Sequence, residues 1–92
     1  MATEATAQTT IINKYGFHVR PSTQFMQLCR EYASEIQVTA GPAQANGKSI
    51  MELMALGAMQ GTEITITAKG DDAEEAVAAL VKLVEGRFGG ID

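Results

Sequence analysis

With 92 residues, the chain has room for one domain, and 46% apolar residues are enough for one hydrophobic core. Its formal net charge of −4, with seven scattered basic residues, argues against the clustered basic surface by which proteins bind nucleic acid. A single cysteine excludes an internal disulfide, and one histidine with one cysteine argues against a metal site.

The sequence also indicates where the protein works. Residues 1–10 lack a basic start and an apolar run, so they do not resemble a secretory signal. No apolar stretch has the length of a membrane-crossing helix. We therefore expect a cytoplasmic protein without membrane insertion, in which Cys29 is a reduced and buried hydrophobic residue.

The spacing of apolar residues predicts four elements in the first half of the chain. Strands are indicated by alternation with a period of two, and the helix by a stripe with helical spacing. Pro21 suits the first turn of that helix. In chain order, these elements are a strand around Ala7, Thr9 and Ile11, a helix over about 21–32 with Phe25, Leu28, Cys29 and Tyr32 on its stripe, a strand over 35–39 and a short strand over 43–45.

The second half predicts a helix over about 49–56, a strand over 63–69 and a helix over about 72–87. Ser49 and Glu52 have the spacing of a capping box at the start of the first of these helices. The resulting order, βαββαβα, predicts an α/β (α+β) open-faced β-sandwich. A four-stranded antiparallel sheet carries three helices on one face, within a single domain.

The predicted helix over 49–56 contains more apolar residues than one buried face can hold. Ile50, Met51 and Met54 lie around more than one of its faces, so some of them should stay exposed. Exposed methionines suit a surface that adapts to several partners. The alternative is that they cover the edge of the core, and the spacing alone leaves both interpretations open.

The segment Gly16-Phe17-His18-Val19-Arg20-Pro21 joins the first strand to the first helix and contains the single histidine. Free N–H groups at a helix start stabilise a phosphate, and an arginine adds charge-assisted hydrogen bonds. A neutral imidazole is also a competent nucleophile near pH 7. A histidine in this position is more often a cap or a surface residue, so the motif alone does not decide the function.

Taken together, the segment 16–21, the run Gly47-Lys48-Ser49-Ile50-Met51 and the turn at Gln60-Gly61-Thr62 resemble the HPr family of the bacterial phosphoenolpyruvate-dependent phosphotransferase system. The resemblance covers nearly the whole chain. It implies a phosphocarrier in which His18 accepts the phosphoryl group through Nδ1 and Arg20 stabilises it. It also implies that Val19 and Pro21 lie at the start of a phosphate-facing helix, and that no metal or organic cofactor is required.

The resemblance further implies a set of partners. Ser49 matches the serine that an ATP-dependent HPr kinase/phosphorylase modifies in many members. Enzyme I would supply the phosphoryl group and enzyme IIA-type domains would receive it, with no nucleic acid or membrane involved. The implied partner surface comprises Phe17, Arg30, Ile50, Met51 and Met54. We expect a monomer, because a shuttle must expose one face to several proteins.

The chain departs from the family pattern at a few positions. Tyr15 stands where many members have Asn or Ser near the phosphohistidine, Val19 replaces the usual Ala or Thr, and Gln27 lacks a charge found in other members. The run Asn13-Lys14-Tyr15-Gly16 and the segment Asn46-Gly47-Lys48-Ser49 also resemble the nitrogen-related regulatory branch. Two alternatives therefore stay open, a regulatory paralogue and a non-catalytic binding module that uses the methionine-rich surface.

Overall fold

A four-stranded antiparallel sheet forms one layer of the molecule in the computed structural model, which describes residues 3–92. The strand order is β1-β4-β2-β3. The predicted element order and open-faced sandwich are confirmed. The elements are β1 (Thr3–Thr10), α1 (Val19–Cys29), β2 (Glu35–Ala40), β3 (Ala43–Asn46), α2 (Ile50–Ala55), β4 (Glu63–Gly70) and α3 (Ala73–Glu85).

The sheet separates an apolar face from a polar one because strand side chains alternate. Ile64, Ile66 and Ala68 of the central strand β4 are fully buried beneath the helices. Ile66 lies opposite Val38 of β2 and Ala7 of β1. Antiparallel pairing places the start of β4 beside the end of β1, so the loops that follow β1 and precede β4 meet at one end of the sheet.

Helix α1 begins two residues earlier and ends three residues earlier than the sequence predicted. Its N-cap is His18 and its first residue is Val19, so the expectation that Pro21 begins the helix was wrong. Pro21 is the third residue, where a missing N–H costs nothing because the first N–H groups of a helix have no intrahelical acceptor. Tyr32 lies in the turn that follows the helix rather than on its stripe.

Helix α2 has only half of the predicted capping box. Ser49 is the N-cap, and its Oγ accepts a hydrogen bond from the backbone N–H of Glu52 at 3.2 Å. The carboxylate of Glu52 instead accepts from the N–H of Asn46 at 3.0 Å. Glu52 therefore ties the end of β3 to α2, which fixes the position of Ser49 between them.

The chain turns sharply after α3. The short turn Arg87–Gly90 has positive φ at each residue, including 56° at Arg87 and 52° at Phe88. Residues other than glycine rarely adopt this conformation. The turn places Phe88, which is 1% exposed, in the core beneath the loop that follows β1.

Cys29 is fully buried, as predicted from the sequence. Burial raises the pKa of its thiol to about 12, which keeps it protonated and unreactive at physiological pH. Within residues 3–92, no helix combines the length and apolar character required to cross a membrane.

Asp72 joins two turns at the end of the sheet that is remote from the end of β1. Its carboxylate accepts hydrogen bonds from the Oγ of Ser34, the N–H of Ala33 at 2.8 Å and the N–H of Ser34 at 3.0 Å. These hydrogen bonds, the one from the Ser34 side chain above all, lower the pKa of the Asp72 carboxyl below its ordinary value of 3.8.

Asp72→Asn is expected to destabilise the protein at neutral pH, and the difference from wild type should shrink in acid. A depressed pKa in the folded state contributes stability above the unfolded value, and this contribution is lost as pH falls through the folded value. The stability contributed by Asp72 is therefore lost at pH values below about 4. Urea unfolding at pH 7 and pH 3 measures it, with Asp71→Asn at the exposed neighbouring position as control. A difference that is the same at both pH values would contradict the role of Asp72.

Candidate functional site: the loop between β1 and α1

The loop over residues 11–18 is held against the loop that precedes β4. Gly16 has a φ of +57°, and a Cβ built on it would lie 1.8 Å from the carbonyl oxygen of Ala58. The N–H of Phe17 donates to that same oxygen at 3.1 Å. Glycine is therefore required at position 16 both for its backbone conformation and for this close approach.

Phe17 lies in the core, not on the predicted partner surface. It is 4% exposed, and its ring packs edge to face against Phe25 at 5.2 Å and against Phe88 at 5.8 Å between centroids. Its carbonyl accepts a hydrogen bond from the Oγ of buried Ser22 at 2.9 Å. The residue before His18 is thus an anchor, and it holds the backbone of His18 at the rim of the domain.

His18 is the N-cap of α1 and is partly exposed. Its backbone carbonyl accepts the first helical hydrogen bond, from the N–H of Ser22 at 3.0 Å. Its Nε2 is buried and has no hydrogen-bond partner among residues 3–92. Because Nε2 is buried, Nδ1 is the better candidate of the two ring nitrogens for contact with a partner.

The start of α1 provides positive potential beside His18. In the described range, the hydrogen bonds leave the N–H groups of Val19 and Arg20 without an acceptor, as is usual for the first turn of a helix. The first turn contains no acidic residue. Because these donors and the helix dipole favour an anion, a phosphate on His18 would be stabilised at this position.

The two arginines proposed for the site lie at opposite ends of α1. Arg20 is an exposed residue of the first turn. It takes part in neither of the ion pairs found within residues 3–92, which join Lys69 to Glu4 and Arg87 to Asp92. Arg30 is the exposed C-cap. An 11-residue helix is about 16 Å long. Arg20 can therefore reach a group on His18, whereas Arg30 can only contact a partner that extends along α1.

Exposed apolar side chains concentrate in the segments around His18, and we call this set the apolar rim. It includes Met51, which is 82% exposed, and Val19, which is 57% exposed. Met59 adjoins Gly16, and α1 packs against α2. Ile50 is only partly exposed and is not a member. The apolar rim consists of Ile12, Tyr15, Val19, Met51, Met54 and Met59.

Several residues that support the site were not indicated by the sequence. Asn13 is fully buried, and its Nδ2 donates to the carbonyl of Gly16 at 2.9 Å and to that of Asp92 at 3.3 Å. The N–H of Tyr15 donates to the same carbonyl of Asp92 at 2.6 Å. The two contacts with Asp92 join residues far apart in the chain, so local spacing could not reveal them.

The family model described as the PTS HPr component phosphorylation site matches residues 5–86. A phosphocarrier protein HPr from Neisseria meningitidis serogroup A is 47% identical over 79 residues, which cover 86% of this chain and 89% of the relative.

Two solved structures from Thermoanaerobacter tengcongensis are also similar. HPr-C-His superposes with a TM-score of 0.90 at 42% identity, covering 94% of this chain and 97% of that one. An HPr dimer superposes with a TM-score of 0.75 at 44% identity, covering 89% and 94%. The fold, the histidine at a helix start and these matches agree, and the chain belongs to the HPr family of phosphocarrier proteins.

Proposed function

We propose that this chain carries a phosphoryl group on Nδ1 of His18, accepting it from enzyme I and passing it to enzyme IIA-type domains in sugar uptake and its regulation. The observation that carries the proposal is the position of His18 as N-cap of α1, with its side chain partly exposed and Nε2 buried. The names of the relatives favour a phosphocarrier over a non-catalytic binding module.

The transfer step follows from the position of the imidazole. The lone pair of Nδ1 forms a bond to phosphorus while the bond between phosphorus and the donor atom of enzyme I breaks, and the donor atom keeps that electron pair. The free N–H groups of Val19 and Arg20 at the helix start would stabilise the new dianion, and the guanidinium of Arg20 would add charge-assisted hydrogen bonds. The same step in reverse delivers the group to a histidine or cysteine of the acceptor, so the chain itself turns over no small molecule.

The apolar rim is the surface on which we place both partners. Its six side chains are apolar and exposed, so a partner that docks there would exclude water from the contact. Methionines at positions 51, 54 and 59 suit such a surface because their flexible side chains repack against different partners. Donor and acceptor then bind in turn to one face, which is compatible with a monomer in the cytoplasm.

Ser49 is a candidate for regulation as well as a helix cap. Its Oγ is bound to the N–H of Glu52, so a phosphate there would lie at the start of α2 and beside the carboxylate of Glu52. The added negative charge would be introduced next to Met51 of the apolar rim, and it would repel an acidic partner. An ATP-dependent HPr kinase/phosphorylase is the enzyme that would add it.

The test uses purified protein with phosphoenolpyruvate and enzyme I, and separately with ATP and the kinase. Intact mass should show one acid-labile phosphate in the first reaction and one acid-stable phosphate in the second, the latter absent in Ser49→Ala. An enzyme I that phosphorylates another HPr but leaves this chain unmodified would overturn the carrier function. Delivery of the phosphate to regulators alone, and never to a sugar-specific IIA domain, would overturn the role in sugar uptake.

A further inference from the structure

Tyr15 lies directly beside the phosphoacceptor. The rings of Tyr15 and His18 meet edge to face, with centroids 6.0 Å apart and an interplanar angle of 88°. Tyr15 is 50% exposed, so one side of its ring faces solvent.

The backbone of Tyr15 is fixed by hydrogen bonds, and its ring has one further contact besides His18. Its backbone N–H is held by the carbonyl of Asp92, and Asn13 holds the carbonyls of Gly16 and Asp92 on either side. The ammonium group of Lys14 lies 5.3 Å from the centroid of the Tyr15 ring. A cation at this distance is attracted to the face of the ring. The Tyr15 ring is therefore carried on a fixed backbone and lies between Lys14 and the imidazole of His18.

A ring on one side of an imidazole restricts rotation of the imidazole about the Cβ–Cγ bond. In the orientation seen here, Nε2 is buried without a partner among residues 3–92. An unpaired buried nitrogen gives the ring no hydrogen bond to hold it in place, so its orientation depends on packing. The edge-to-face contact with Tyr15 supplies that packing.

We propose that Tyr15 is a positioning residue, whose ring orients His18 so that Nδ1 faces the docked partner. The proposal rests on the phosphocarrier function of His18. It assigns the orientation of the imidazole to packing against an aromatic ring rather than to a hydrogen bond. The hydroxyl of Tyr15 has no part in it, and this separates a role of the ring from a role of the polar group.

Two variants at this half-exposed position test the proposal without removing core packing. Tyr15→Phe keeps the ring, and Tyr15→Leu keeps an apolar side chain without it. NMR of the unphosphorylated protein, which requires no partner, should show one His18 ring orientation in wild type and Tyr15→Phe. In Tyr15→Leu the orientation should be averaged. With enzyme I, kcat for phosphoryl transfer should fall about two- to tenfold in Tyr15→Leu alone, and any change in KM would report the separate contribution of Tyr15 to docking on the apolar rim.

Each other outcome would overturn the proposal. A wild-type ring orientation and kcat in Tyr15→Leu would show that the contact does not orient His18. Equal losses of kcat in both variants would assign the effect to the hydroxyl, and a change in KM with kcat unchanged would leave Tyr15 with its docking role in the apolar rim alone. If wild type accepts no phosphate from enzyme I, the proposed function fails, while the NMR result still decides whether Tyr15 orients the imidazole.

Discussion

Gly16→Ala is expected to destabilise the protein by about 3 kcal/mol or more, a large share of the total for a small domain. The new Cβ would lie 1.8 Å from the carbonyl oxygen of Ala58, so the two loops must separate. Separation breaks the hydrogen bond from Phe17 to that oxygen and loosens the backbone of His18. The left-handed conformation at position 16 adds its own cost for alanine.

Gly57→Ala is the matched control for this prediction. Gly57 also has a positive φ, +67°, but a Cβ there would meet nothing within 4 Å. Gly57→Ala should therefore lower the free energy of unfolding by only about 1 kcal/mol, because alanine disfavours this backbone conformation. Urea unfolding of both variants separates the two effects. Equal and small losses would show that the contact with Ala58 is not rigid and does not fix the site.

His18→Ala is expected to abolish phosphorylation by enzyme I while the fold is retained. The imidazole is partly exposed and makes no capping hydrogen bond to α1, so its removal leaves the helix start intact. The nucleophile, however, is lost completely, since His18 is the single histidine of the sequence. The rate of label transfer from phosphoenolpyruvate and the melting temperature measure the two parts of this prediction.

Arg20→Ala distinguishes the nucleophile from the charge beside it. Loss of charge-assisted hydrogen bonds should slow the transfer by about tenfold to a hundredfold without abolishing it. If His18→Ala were still labelled as fast as Arg20→Ala, the phosphoryl group would be on another residue, and the assignment of His18 as the acceptor would be contradicted. A His18→Ala protein that no longer melts cooperatively would contradict the claim that the imidazole is dispensable for folding.

The elements that could be predicted from the sequence are those with a strong local pattern. The alternation of Ile and Thr predicted which face of β4 is buried. Acidic residues before α3 and glycines after it predicted the two ends of that helix. The start of α1 was predicted two residues late, because proline favours the first position of a helix but is also tolerated at the third.

The site was only partly predictable for a similar reason. His18 and Arg20 form a local motif, and their place at the start of a helix could be derived from their neighbours. The burial of Phe17 depends on Phe88, whose position is set by a turn with positive φ at two residues other than glycine. Contacts of this kind join the two ends of the chain, and the periodicity of one segment carries no information about them.

The central claim is that the phosphoryl group resides on Nδ1 of His18. Its most direct test is NMR of ¹⁵N-labelled protein after reaction with phosphoenolpyruvate and enzyme I, which identifies the nitrogen bonded to phosphorus. We predict a coupling to phosphorus at Nδ1 of His18 and at no other nitrogen. Phosphorus on Nε2, or a phosphorylated protein whose His18 nitrogens show no coupling, would contradict the account.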